Sequence, residues 1–197
     1  MHIGSSFYSN KELKKFKFRS IGKNVLIKKT VGLYFIENIS IGSNVRIDDN
    51  VIVVASNSSA PVKIGNYVHI ASNCYLAGSD GIEIKDFCTF APGVKIFSGS
   101  DDYSGIKLTN PMVGKPFTGG VCGKVTFCKH VIIGANSVVL PRVTINEGSS
   151  VGALSLVNKN LNSFGVYAGI PLLKIKNRSK NILKLEKIFL RKKINIS

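Results

Sequence analysis

The feature of this 197-residue sequence that most limits its fold is an apolar residue that recurs every six positions. Apolar residues keep this spacing in four series: Phe127, Ile133, Val139, Ile145, Val151 and Val157; Ile41, Ile47 and Val53; Ile64, Ile70 and Leu76; and Ile84, Phe90 and Ile96. This period fits neither a helix of about 3.6 residues per turn nor a long strand in which alternate side chains are buried. The repeat therefore predicts an unusual architecture.

Each six-residue unit has a second inward position, its fifth, which is small or β-branched. Val45, Val51, Val68, Cys74, Cys88, Val94, Val131, Ser137 and Val143 occupy it. Two inward positions per unit fit short strands joined by tight corners, where Gly, Asn and Asp tolerate a left-handed backbone. Three units complete one triangular coil, and stacked coils bury a continuous core. We therefore predict an all-β chain whose residues 21–172 form a left-handed parallel β-helix.

Interruptions and ends of the repeat complete the predicted organisation. Residues 54–63 and 77–83 are short corner insertions, whereas 101–126 is an extended loop of a length that is usually functional or disordered. Residues 1–20 form a helical cap, with a helix over 9–16. Residues 173–197 form a basic C-terminal helical segment, with a helix over 179–193. Its apolar stripe, Ile182, Leu185 and Phe189, is expected to dock on the β-helix or a neighbouring subunit, or else to contact a membrane surface.

The net charge of +16 is concentrated at the two ends of the chain. Residues 1–30 hold eight Lys and Arg and 174–197 hold nine, each with one acidic residue, while the core is nearly neutral. This distribution favours an anionic ligand or membrane surface over nucleic acid, and no stacking aromatics are interleaved with the charges.

The four cysteines have no metal-ligand spacing, so we expect packed thiols, no disulfide and no metal. No apolar run has the length of a membrane span or secretory signal, which predicts a cytoplasmic protein.

Several segments together resemble a known enzyme family. They are FYSNKELKKF, NISIGSNVRIDDN, KIGNYVHIASNCYLAG, GVKIFSGSDDYSG, LTNP, KHVIIGANSVVLPRVTINEGSSVGALSLV and VYAGIPLLKIKNRSK. They look like the bacterial hexapeptide-repeat acyltransferases of O-antigen, capsule and nucleotide-sugar acetylation. The resemblance spans nearly the whole chain. It implies a homotrimer that binds acetyl-CoA between neighbouring β-helices and transfers acetyl to a hydroxyl or amine of a sugar or nucleotide-sugar.

The resemblance also implies a cofactor site. Ala135, Asn136, Gly152 and Ala153 would contact pantetheine through their backbone, and the turn Gly169, Ile170 and Pro171 would guide the adenine. Lys174, Lys176 and Arg178 would meet the 3′-phosphate, although a solvated basic tail is the alternative. The family commonly has Ala after this Pro, where the chain has Leu172.

Acyl transfer requires a base near the nucleophile. His69, at an outward position of its unit, is the best single candidate, whereas His130 falls at a corner where a solvent-facing position is expected. In the galactoside and maltose acetyltransferases, a catalytic histidine closes a T-A-T-H segment before the large loop. This chain has SGSD there, so Asp101 stands in place of that histidine. A carboxylate there could position a substrate amine or hydroxyl, or act as base if burial raised its pKa.

Asp102 follows Asp101 as a third catalytic candidate, with turn capping as its alternative role. Tyr103 and Asn110 are candidate sugar contacts. We compare three functions: a sugar acetyltransferase, a non-catalytic structural β-helix, and a serine acetyltransferase. The last class usually carries a longer helical N-terminal domain than the roughly 20 residues that precede the coils here.

Overall fold

The computed structural model, which describes residue 4 and residues 6–110 and 112–194, is a parallel β-helix built on the six-residue period. The first sheet, called the polar face, contains β1 (Ser20–Ile21), β4 (Ile39–Ile41), β7 (Val62–Ile64), β10 (Ile82–Ile84), β15 (Val125–Phe127) and β18 (Thr144–Ile145). The second, called the histidine face, contains β2 (Val25–Ile27), β5 (Val45–Ile47), β8 (His69–Ile70), β11 (Thr89–Phe90), β16 (Ile132–Ile133), β19 (Ser150–Val151), β21 (Gly165–Ala168) and β22 (Leu173–Asn177). The third, called the apolar face, contains β3 (Gly32–Tyr34), β6 (Ile52–Val54), β9 (Tyr75–Ala77), β12 (Lys95–Phe97), β17 (Val138–Val139) and β20 (Leu156–Val157).

The predicted inward residues form the core. Every member of the four apolar series is at most 4% exposed, and every fifth-position residue is at most 2% exposed. Strands one coil apart pair in parallel, so each apolar side chain lies directly above its equivalent. The prediction of an all-β hexapeptide-repeat β-helix is therefore confirmed.

The three corners of the prism differ in regularity. The first corner leads from the polar to the histidine face, and the second from the histidine to the apolar face. Both keep the six-residue spacing, as in Ile64, Ile70 and Leu76. Among the residues that the structure describes, the third corner, from the apolar back to the polar face, contains every insertion, including the predicted 54–63 and 77–83. The extended loop also leaves here, beginning as an antiparallel hairpin of β13 (Gly99–Asp101) and β14 (Gly120–Cys122).

The outward side chains give each face a different chemistry. The polar face presents Ser20, Ser40, Lys63, Glu83, Thr126 and Thr144. The apolar face presents Tyr34, Ile52, Val54, Tyr75, Ala77, Phe97, Val138 and Leu156, with Lys95 as its charged residue among the strands described. This face is therefore the most apolar of the three on its outer side.

A short helix closes the start of the solenoid. The predicted helix over 9–16 is α1 (Asn10–Lys15), and Ser9 caps it in a reciprocal box with Glu12. Leu13 points into the core and is 4% exposed. A short 3-10 helix, Ile36–Asn38, occupies the third corner of the first coil.

The C-terminal segment, predicted as helical over 173–197, is helical only in its later part, where the structure has a helix close to the predicted 179–193. Residues 173–177 form β22, which pairs antiparallel with β21, and the helix α2 (Asn181–Ile194) follows. The alternation of Leu173, Lys174, Ile175 and Lys176 is a strand pattern, and β21 supplies its hydrogen-bonding edge. None of the helices in the described part of the chain is long and apolar enough to cross a membrane.

The prediction of packed cysteines needs one correction. Cys74 and Cys88 are buried, and burial raises their thiol pKa values to about 11 and about 12. Cys128 is half-buried, and all four thiols are free. Cys122, by contrast, is exposed, because it lies on β14 of the projecting hairpin rather than in a coil.

Candidate active site

The hairpin at the third corner forms a pocket of about 500 Å³. Asp101, at the end of β13, lines it together with Asn110, Lys115 and Thr118. The structure therefore brings together two of the residues predicted from sequence, Asp101 and Asn110. The pocket contains one carboxylate and one ammonium side chain, so its lining carries both signs of charge.

Asp102 is turned into the loop rather than into this pocket. Its carboxylate accepts hydrogen bonds from the hydroxyl of Ser104 at 2.6 Å and the backbone N–H groups of Ser104 at 2.9 Å and Lys107 at 2.7 Å. The bonds from Ser104 and then Lys107 hold the pKa of Asp102 below its usual value. These contacts match the turn-capping alternative.

Tyr103 and Asn110 differ in how firmly the loop holds them. Tyr103 is 92% exposed. Asn110 has a positive φ of 100°, and its side-chain oxygen accepts a hydrogen bond from the backbone N–H of Met112 at 2.9 Å. This bond orders the turn at the edge of the pocket that Asn110 lines.

His69 lies on β8 and forms a cluster that the sequence analysis missed. Its Nε2 is 2.7 Å from Oδ2 of Asp48, while the other carboxylate oxygen, Oδ1, accepts from Nε of Arg46 at 2.7 Å. Burial opposes ionisation of Asp48, but the hydrogen bonds from His69 and Arg46 outweigh it and lower its pKa. Asp48 is 21 residues from His69 yet one coil below it. Sequence spacing could have revealed the pair, because residues one coil apart are neighbours.

A single chain does not bring His69 and Asp101 together. His69 lies on the histidine face, between the first and second corners, whereas Asp101 leaves from the third corner. In a triangular prism that corner is opposite that face. The two residues can share a site only if they come from two copies of the chain.

The residues predicted to bind the cofactor line the second corner. Ala135 and Asn136 lie in one coil, with Asn136 at φ 57°, and Gly152 and Ala153 follow directly above. The next turn contains Gly169 at φ 97° and Ile170, which is 71% exposed and precedes a cis Pro171. Leu172, where the family commonly has Ala, is 2% exposed and closes the core. The structure thus places these residues along one continuous ledge.

The three predicted phosphate contacts do not behave alike. Lys174 and Lys176 are exposed on β22. Arg178 instead donates from Nη1 to the carbonyl oxygens of His130 at 2.8 Å and Gly148 at 3.0 Å, and burial lowers its pKa. Its position therefore serves to fasten the chain after β22 to the first corner.

His130 is buried, contrary to the solvent-facing position expected from its place in the repeat. It is 9% exposed, its ring stacks on Phe87, and its Nε2 lies 2.8 Å from Oε2 of Glu186 on α2. Glu186 also accepts from Lys129 at 2.9 Å. Burial opposes ionisation of Glu186, but the bonds from His130 and Lys129 lower its pKa.

The apolar stripe of α2 reaches the same corner. Phe189 packs edge-on against the rings of Tyr67 and Phe87, and Ile182 and Leu185 line the same apolar pocket of about 370 Å³. The helix therefore docks on the β-helix through this stripe, the first of the arrangements expected for it.

No protein-family model matches the chain. The chain is 41% identical over 178 residues to the dTDP-4-amino-4,6-dideoxy-D-glucose acyltransferase of Escherichia coli, covering 90% of this chain and 92% of that protein. It is 43% identical to AntD, an N-acyltransferase from Bacillus cereus solved in complex with dTDP and 3-hydroxybutyryl-CoA. The superposition covers 96% of this chain and 98% of that one, with a TM-score of 0.90. A maltose O-acetyltransferase from Clostridium difficile 630 shares the fold alone, at 22% identity over 86% of this chain and 74% of that one, with a TM-score of 0.56.

Proposed function

This chain belongs to the hexapeptide-repeat β-helix sugar N-acyltransferases, and we propose that it transfers an acyl group from acyl-CoA to the amino group of dTDP-4-amino-4,6-dideoxyglucose. The extensive similarity to the E. coli acyltransferase of that sugar supports this acceptor. The structural observation that carries the proposal is the hairpin pocket, because Asp101 is its carboxylate. The resemblance to the galactoside and maltose acetyltransferases implies a histidine at this position in enzymes that acylate hydroxyl groups. A carboxylate suits an amine, to which it can bind as an ammonium or as a neutral donor.

Lys115 supports a nucleotide-linked acceptor. Lys115 lines the same pocket as Asp101. The proposed substrate carries an amine on the sugar and a doubly charged pyrophosphate on the anomeric side. A pocket with one anionic and one cationic side chain can bind both ends of such a molecule in one orientation.

The chemical step needs a proton acceptor, and we assign this role to His69. The neutral amine attacks the thioester carbonyl carbon, so a C–N bond forms and the C–S bond breaks. His69 accepts the proton that the amine loses and returns it to the departing CoA thiolate. The products are the amide and CoA thiol, so protons and charge balance.

We propose that the enzyme works as a homotrimer. The apolar face needs a partner surface, and a second copy placed against it by a threefold axis would bury it. If that axis runs parallel to the solenoid, coils of equal height lie opposite each other. His69 of one copy is then about one coil, roughly 5 Å, below the level at which a neighbour's hairpin leaves. The active site would be formed between two chains.

The second-corner ledge is the proposed acyl-CoA site. Ala135, Asn136, Gly152 and Ala153 offer backbone groups to pantetheine, and Gly169, Ile170 and Pro171 border the adenine. Lys174 and Lys176, rather than Arg178, supply the charge for the 3′-phosphate, since the Arg178 guanidinium is bonded to backbone carbonyls.

We propose acetyl as the acyl group. We propose the cytoplasm as the place of reaction, since both substrates are charged and water-soluble. An acylated aminosugar of this kind suits incorporation into O-antigen.

The decisive test is an assay of purified protein with dTDP-4-amino-4,6-dideoxyglucose and either acetyl-CoA or 3-hydroxybutyryl-CoA. We expect stoichiometric release of CoA thiol and a product whose mass gain equals one acyl group, with the higher kcat/KM for acetyl-CoA. No thiol release with either donor, despite CoA binding, would instead favour a structural role for the β-helix. Release of CoA thiol only with serine, or only with sugars that lack an amine, would contradict the proposed acceptor.

The role of Asp101 has its own test. Asp101→Asn should reduce kcat/KM for the aminosugar about tenfold to a hundredfold, the effect of losing one charge-assisted hydrogen bond, and should leave KM for acyl-CoA unchanged. Asp102→Asn is the matched variant, since it disturbs only hydrogen bonds within the loop. It should chiefly raise KM for the aminosugar and make the loop more sensitive to proteolysis. Equal effects of both substitutions on kcat would argue against the assignment of Asp101.

A further inference from the structure

We propose that Asp48, held in place by Arg46, is a positioning residue that fixes the tautomer and the ring orientation of His69. This inference rests on the proposed role of His69 as proton acceptor. Asp48 lies at the beginning of the second corner, immediately after β5, and contacts neither the hairpin pocket nor the cofactor ledge. Its contribution would therefore be made through the imidazole.

The geometry determines which nitrogen of His69 is basic. Oδ2 of Asp48 lies 2.7 Å from Nε2 of His69. An ionised carboxylate can only accept a hydrogen bond, so Nε2 of the neutral ring must carry the proton. The lone pair is then on Nδ1, which becomes the atom that accepts a proton from the amine.

The carboxylate is itself constrained from its other side. The Asp48 side chain is 12% exposed, and its second oxygen accepts from Nε of Arg46 at 2.7 Å. The Arg46 guanidinium lies 5.7 Å from the centre of the Phe7 ring, in the chain segment that precedes α1. A carboxylate bonded through both oxygens keeps its rotamer, and it passes that fixed orientation to the imidazole.

The charges facing His69 are few among the described residues. In the register of the histidine face, Arg46 is its neighbour below and the neutral Thr89 its neighbour above. The adjacent carboxylate, Asp49, faces another way: its oxygens contact the Thr30 hydroxyl at 2.8 Å and the Lys28 ammonium at 3.8 Å. Asp49 thus has the same charge and almost the same position as Asp48 but points away from the imidazole.

Asp48→Asn and the matched Asp49→Asn are the variants that test the inference, with thermal melting to confirm that both fold. For Asp48→Asn we expect kcat to fall about tenfold to a hundredfold with KM for acyl-CoA within about twofold. The pH profile of kcat should change as well, because the carboxylate that orients the imidazole has been removed. Nitrogen NMR of labelled His69 should show the Nε2-protonated tautomer in the wild type and a mixture in Asp48→Asn.

Asp49→Asn should leave kcat, its pH profile and the tautomer of His69 as in the wild type. Asp48→Glu should recover part of kcat, and Arg46→Gln, on a half-exposed side chain, should show a smaller loss without unfolding. An unchanged tautomer and pH profile in Asp48→Asn, while His69→Gln is inactive, would overturn the positioning role alone. If His69→Gln retained wild-type kcat, the base assignment would also be wrong, although acyl transfer itself would stand.

Discussion

Leu154 has a backbone conformation that its side chain disfavours. Its φ is 55°, in the left-handed region, where the equivalent second-corner positions of other coils have Asn or Gly: Asn50, Asn73, Gly93 and Asn136. The left-handed region costs a residue such as Leu about 1–2 kcal/mol, whereas Asn tolerates it. Leu154 is nevertheless 68% exposed and neighbours the exposed Ile170 on the proposed cofactor ledge. Such strain at an exposed apolar residue is consistent with a binding role.

Leu154→Asn should therefore raise stability and weaken cofactor binding. We expect the free energy of unfolding to increase by about 0.5–1 kcal/mol in denaturant titrations, because the strain is relieved at a solvent-exposed site. KM for acyl-CoA should rise severalfold, while KM for the aminosugar stays the same. Asn73→Leu, at the equivalent corner three coils below, is the reciprocal control and should lose stability. A stabilised Leu154→Asn variant with unchanged KM for acyl-CoA would contradict a contact between Leu154 and the cofactor.

At the scale of elements, α1 depends on one carboxylate. Glu12 accepts from the backbone N–H of Ser9 at 2.7 Å and from the Lys29 ammonium at 2.8 Å. The bond from Lys29, and then those from Ser9, lower the pKa of Glu12 to about 2. Because the folded pKa lies below the unfolded value, the stabilisation is complete above about pH 4.5 and disappears as the pH falls through 2.

The expected result is that α1 keeps its full amide protection from pH 7 down to about pH 4.5 and loses it progressively as the pH falls to about 2. Hydrogen exchange followed by NMR at a series of pH values would measure this protection. In Glu12→Gln, the α1 amides should exchange faster at neutral pH, and their protection should no longer depend on pH. In Glu37→Gln, they should exchange as in the wild type. A midpoint for the wild type near pH 4.5 would show that the capping box does not hold Glu12 ionised.

At the scale of the whole molecule, the three faces predict how the chain assembles. Val138→Glu would bury a charge in the proposed interface of the apolar face, so light scattering should show monomers and the assay no activity. Thr126→Glu, on the polar face, introduces the same charge and should leave a trimer.

Mixed trimers test whether the active site is formed between two chains. His69→Gln and Asp101→Asn, each poorly active alone, should regain activity when unfolded and refolded together, because about a quarter of the sites would then combine both native residues. No recovery would mean that His69 and Asp101 do not share a site between chains.

Sequence predicted the fold far better than the site, for a physical reason. In a solenoid the buried positions recur every six residues, as at Ile133 and Val139. The sequence therefore contains the evidence for the architecture many times. Site contacts are made across coils and occur once. Asp48 was missed because its partner is one coil above, and His130 was misplaced because its burial depends on Phe87 below and Glu186 on a distant helix. Arg178 looked like a phosphate ligand until its carbonyl partners were known.

The insertions in the described part of the chain are confined to the third corner, so loop length can vary there while the spacing of the other two corners is kept. Lengthening a loop there would change the proposed acceptor pocket without shifting a residue in the core or on the proposed cofactor ledge, since the other two corners keep their spacing. With the sites placed as proposed, the choice of acceptor can change while the donor site stays the same. Grafting another hairpin between Ser98 and Gly123 offers a way to redirect the acyl group to a new sugar while the same CoA thioester is used.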